Sequence, residues 1–114
     1  MSEGLETITY PVKDLAAAKA LFSKLLGVEP YMDEAYYVGF QAGGVDLGLD
    51  PNGHRKGLTG PVGYWRVEDI ERSLKALTDA GAETVQEVQD VGGGKRIASV
   101  RDADGNPIGL VQAP

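Results

Sequence analysis

Apolar and polar residues alternate along residues 5–12. Leu5, Thr7, Thr9 and Pro11 fall on one side and Glu6, Ile8, Tyr10 and Val12 on the other, the period of a β-strand. At Asp14 the period changes. Ala16, Ala17 and Ala18 supply helix propensity, and Leu21, Phe22, Leu25 and Leu26 supply an apolar stripe. Asp14 stands where a side-chain oxygen can take up a free amide, and Gly27 stands where a helix ends. A second helix is predicted from the cap Asp69 through Ile70, Leu74 and Leu77 to Gly81. Further strands are predicted at 35–41, 45–50, 83–89, 95–101 and 107–112. Gly43-Gly44 and Asp104-Gly105-Asn106 are tight-turn sequences between antiparallel neighbours. The glycine-rich stretch 51–61 reads as a connector.

This pattern occurs twice. Tyr10-Pro11-Val12-Lys13-Asp14-Leu15 is echoed 55 residues on by Trp65-Arg66-Val67-Glu68-Asp69-Ile70, and Leu47-Gly48-Leu49 is echoed 61 residues on by Ile108-Gly109-Leu110. A repeat of this length is one supersecondary unit that needs its copy to bury its apolar face. The expected fold class is α+β: a single domain over 1–114 built from two tandem β-α-β-β-β modules, about 4–52 and about 60–113.

Composition narrows the function. With 42% hydrophobic and 25% charged residues, the chain is an ordinary globular one and not a disordered one. A net charge of −6 without a basic cluster argues against nucleic acid as a partner. No apolar run reaches the ~20 residues that a membrane span requires, and no basic-then-apolar leader opens the chain, so no membrane role and a cytoplasmic location are expected. The absence of cysteine excludes disulfides, thiolate metal sites and a cysteine nucleophile. A core this small would gain from a second subunit, and a homodimer is expected.

The duplicated β-α-β-β-β pattern, Val12-Lys13-Asp14-Leu15 at the first helix, and Asp102-Ala103-Asp104-Gly105-Asn106 before the last strand resemble the vicinal oxygen chelate superfamily. That group includes glyoxalase I, bleomycin-resistance proteins and extradiol dioxygenases. The resemblance implies curved mixed sheets around a cavity with the helices outside, and dimers. It also implies metal-ligand positions on the first and last strand of each module. Those positions fall at Thr7 and Gly48 in the first module and at Val62 and Gly109 in the second. None carries the family's histidine or carboxylate, so no metal and no cofactor are expected here.

Alternation extends the site. If Thr7 faces the cavity, so does Thr9. With Gly48 go Asp46 and Asp50, and with Val62 go Tyr64 and Arg66, while Val111 and Pro107 add apolar wall beside Gly109. Ile8, Tyr10, Val12, Leu47, Leu49, Trp65 and Val67 then turn toward the helices, Trp65 as a core residue. The candidate ligand-binding residues are thus Thr7, Thr9, Asp50, Val62, Tyr64, Arg66 and Val111. Glycine at 48 and 109 is expected to vacate space for a small organic molecule. Arg66 is either an anchor for a carboxylate, phosphate or carbonyl-rich ligand or a strand residue paired with Glu68 or an aspartate, Asp50 being the nearest rival. His54 with Asp50 is either a metal or proton-relay pair or an exposed connector histidine. Residues 91–95, with three consecutive glycines, read as a hairpin rather than a phosphate loop. Tyr31, Tyr36 and Tyr37 form an aromatic cluster that could close over a flat ligand or pack against a second subunit. Three functions compete: a metal-free binding or sequestering protein, a metal-independent lyase or isomerase, and a structural dimer module without a ligand.

Overall fold

A computed structural model describes residues 2–114. The first half carries β1 (Ser2–Pro11), α1 (Leu15–Leu26), β2 (Met32–Glu34), β3 (Tyr37–Ala42) and β4 (Val45–Asp50). After a short 3-10 turn at His54–Lys56, the second half carries β5 (Val62–Val67), α2 (Ile70–Asp79), β6 (Glu83–Asp90), β7 (Arg96–Arg101) and β8 (Pro107–Gln112). Both halves therefore show the β-α-β-β-β order. One strand, β2, was not predicted, and it lies just before the run expected at 35–41. The expected strand starts late, at Tyr37, because the chain reverses at Ala35-Tyr36 and pairs β2 antiparallel with β3.

The chain forms two compact units. One is Thr7–Val62 and the other is Gly63–Pro114 together with β1 as far as Glu6. In the Thr7–Val62 unit the strands lie in the order β2-β3-β4-β1, with β1 parallel to β4. In the Gly63–Pro114 unit the order is β1-β5-β8-β7-β6, with β5 parallel to β8. β2 ends one ladder and β6 the other, so neither strand set closes on itself. The register in the first unit sets Thr9 beside Gly48 and Gly48 beside Gly39. The second unit sets Tyr64 beside Gly109 and Gly109 beside Ser99.

Each unit packs its own helix on one face of its strands. The Asp14 carboxylate accepts from the Ala17 amide and the Asp69 carboxylate from the Arg72 amide, satisfying donors that a helix start leaves unpaired. Gly27 closes α1 in the left-handed conformation (φ 70°), where a side chain would be strained. Leu15, Ala18, Phe22 and Leu26 of α1 pack on Val38, Phe40 and Leu49, with Tyr10, Val12 and Leu47 completing the cluster. Ile70, Leu74 and Leu77 of α2 pack on Val67, Ala98 and Leu110. Two expected core assignments fail. Leu21 and Leu25 are 67% and 72% exposed, because the inward positions of α1 follow 15, 18, 22 and 26 instead. Trp65 shares the helix side of β5 with Val67 but is 42% exposed and lies outside that cluster.

Candidate functional site

The strand face opposite each helix carries the polar residues. In the Thr7–Val62 unit, Thr7, Thr9, Asp50 and Val62 are all buried. The peptide at Gly48 has no side chain, but the place is not vacant. A Cβ built there would lie 1.8 Å from Tyr37 Oη. Beside it, a Cβ on Gly39 would lie 3.1 Å from the Tyr31 ring. Tyr37, at the start of β3, thus sets its phenol over the glycine of the neighbouring strand. Burial, the negative potential of Tyr31, and then Asp46 and Asp50 push its hydroxyl up to about 12, against the pull of a hydrogen bond shared with Thr9. The phenol is a neutral acid over the whole physiological range. Gln41 donates to Asp46 at 3.2 Å.

Asp50 does not stand open to a ligand. One carboxylate oxygen accepts from the Asn52 amide at 2.8 Å and the other from Lys56 at 2.8 Å. Sequence reasoning paired Asp50 with His54 or Arg66, whereas its ion pair is with Lys56. His54 is exposed in the 3-10 turn.

In the Gly63–Pro114 unit, Tyr64 and Val111 are buried. The same substitution of ring for side chain recurs with a different geometry: a Cβ on Gly109 would lie 2.4 Å from Tyr64 Cδ1 and 2.7 Å from its Cγ. The space expected to be vacated at Gly48 and Gly109 is therefore filled by Tyr37 and by Tyr64. Ser99, in register with Gly109, donates to Gln86 at 3.0 Å. Arg66 lies on this face, since its neighbour Val67 belongs to the helix-side cluster. Its partner is neither Glu68 nor an aspartate. Arg66 Nε donates to Glu6 at 2.9 Å, and Lys95 Nζ lies 3.4 Å from the same carboxylate. Burial pushes the Glu6 carboxyl up, but the bonds and charges of Arg66 and Lys95 together outweigh it and hold the group below its ordinary value. Glu6 and Lys95 escaped the sequence reading, because only the fold brings the first strand and the 91–95 hairpin to Arg66.

On the helix side of this unit a cleft of about 590 Å³ is lined by Leu74, Thr78, Thr84 and Val88 together with Lys75, Arg96, Glu71 and Glu87. Both cations are engaged, Lys75 with Asp79 and Arg96 with Glu71. The hairpin reading of 91–95 agrees with the structure, where Val91 donates to Lys95 O and Lys95 to Gly92 O between β6 and β7.

The residues at the four metal-ligand positions do not fit a divalent ion. Thr7 offers one neutral hydroxyl, and Gly48, Val62 and Gly109 offer no side-chain donor. Among the described residues no group of three or more His, Asp or Glu side chains converges in the way such an ion requires.

The family model described as Glyoxalase/Bleomycin resistance protein/Dioxygenase superfamily matches residues 4–110. Among curated proteins none matches. Solved structures share the fold at low identity. A superfamily member from Vibrio splendidus 12B01 is 19% identical with a TM-score of 0.74, covering 96% of this chain and 99% of its own. Methylmalonyl-CoA epimerase from Mycobacterium tuberculosis is 22% identical with a TM-score of 0.67, covering 99% and 90%. A structure described as an NAD-dependent benzaldehyde dehydrogenase from Legionella pneumophila is 15% identical with a TM-score of 0.75, covering 95% and 98%. Likeness at this level carries the fold and not the activity. No helix among the described residues is long and apolar enough to cross a membrane.

Proposed function

The chain belongs to the Glyoxalase/Bleomycin resistance protein/Dioxygenase superfamily, and from that premise we propose that it binds a small organic molecule without the family's metal. One observation carries this reading. Each closing-strand position that would hold a carboxylate ligand is a glycine overlaid by tyrosine, Tyr37 on Gly48 and Tyr64 on Gly109. In each unit a tyrosine ring thus stands among hydroxyls and charged groups on the strand face opposite the helix, and such groups are the makeup of a small-molecule site. A metabolite and antibiotic panel should contain compounds that raise the melting temperature equally with and without EDTA. Stoichiometric divalent metal in protein purified without chelator would overturn it.

A metal-independent lyase or isomerase is the second reading, favoured by Tyr37. A phenol held neutral and bonded to Thr9 can donate a hydrogen bond or a proton to a developing oxyanion. Turnover of a bound compound, lost in Tyr37→Phe, separates this reading from simple binding. The proposal extends to a homodimer, supported by the exposed Leu21, Leu25 and Val28 on and just after α1. Light scattering should return twice the chain mass.

A further inference from the structure

The Arg66, Glu6 and Lys95 cluster differs from every other ion pair among the described residues. Elsewhere each carboxylate meets one cation: Asp33 meets Lys19, Asp50 meets Lys56, Asp79 meets Lys75, Glu71 meets Arg96 and Glu83 meets Arg101. Glu6 meets two. The cluster carries one net positive charge in a chain of net charge −6. The carboxylate at its centre is only 17% exposed, whereas Arg66 and Lys95 are 48% and 41% exposed. The acid is thus the inner member and the cations face outward. Arg66 meets Glu6 through Nε, which leaves the two amino groups of its fork to a second acceptor.

The surroundings suit an organic anion better than a bare one. Arg66 pairs in register with the buried Val111, and Val111 with Ile97, which is half-buried and adds apolar surface two residues from Lys95.

We infer that Arg66 and Lys95, preset by Glu6, form an anion subsite for the carboxylate or phosphate-monoester group of an organic ligand, whose apolar part lies against Ile97. The inference rests on the proposed function only in taking this face as the ligand's. Glu6 has a double role, fixing the cations while competing with the ligand for them. A merely structural triad would show no such competition.

The test is an amide-resolved NMR titration with four probes: benzoate, phenyl phosphate, benzyl alcohol and benzylammonium. Benzoate, phenyl phosphate or both should shift the amides of 64–66, 95–97 and 109–111 saturably, and the tighter of the two names the anion. Arg66→Gln and Lys95→Gln should each weaken that binding about tenfold or more, the scale of a charge-assisted hydrogen bond. Glu6→Gln should tighten it severalfold. Lys95→Gln, in the hairpin, keeps the test open should Arg66→Gln not fold. Equal binding of benzyl alcohol at these amides would overturn the anion subsite and leave the proposed organic-ligand binding standing. Unchanged or weaker anion binding in Glu6→Gln, or no shift at these amides with either anion, would also overturn the subsite.

Discussion

The two units solve one problem in two ways. Each has a glycine at the middle of its last strand and a tyrosine laid over it, yet the tyrosines arrive differently. Over Gly48 the contact is the tip of Tyr37, its hydroxyl and Cζ. Over Gly109 it is the root of the Tyr64 ring, Cγ and Cδ1, from the strand directly in register. The first arrangement sets a hydroxyl over the glycine, on the face of Asp46, Asp50 and Thr9, while the second sets ring carbons over it, on the face of Arg66. Duplication kept the backbone and the missing side chain, and what fills the gap sets the chemistry of each half.

Mutation separates the two arrangements. Tyr64→Ala has the largest expected effect, about 3–5 kcal/mol in urea denaturation, since it empties a buried aromatic site. Gly109→Ala should follow at about 2–3 kcal/mol, because the near end of the Tyr64 ring is fixed by its own backbone and cannot swing clear. Gly48→Ala should cost less, about 1 kcal/mol, since the far end of Tyr37 can rotate away. Adding Tyr37→Ala should make that substitution neutral or better, an outcome a rigid backbone clash would not give. If Gly48→Ala proves as costly as Gly109→Ala, the distinction between tip and root is wrong.

Tyr37→Phe sharpens the contrast at smaller cost, about 0.5–1.5 kcal/mol for the lost bond to Thr9. It has a separate optical readout. The folded-state value near 12 lies above the ordinary 10, so the neutral phenol's contribution is fully present below pH 10 and is lost as pH rises through 12. In alkaline titration followed by phenolate absorbance, the latest step should vanish in this variant.

Much of the architecture was legible in the sequence. Asp14, Asp69 and Gly27 mark helix ends by local hydrogen bonding and backbone conformation, and the paired Leu-Gly-Leu and Ile-Gly-Leu signatures mark equivalent strands. The site was legible only as a list of positions. Alternation gives the face on which Arg66 lies but not its partner, because Glu6 is 60 residues away and Lys95 belongs to a third element. A glycine likewise reads as empty space until a tyrosine from another strand is seen over it. Trp65 shows the same limit, since alternation gives a side chain's direction but not whether anything covers it.

β1 belongs in part to each compact unit, and that sharing sets a timetable for synthesis. All of Thr7–Val62 has left the ribosome before the last strands of the other unit exist, so this unit can be complete while translation continues. Ser2–Glu6 must wait for strands encoded some sixty residues later, a long loop to close and a slow contact to form. A gene cut at the 51–61 connector would separate the two sequence repeats cleanly, yet the later fragment would lack the strand segment that its own unit needs.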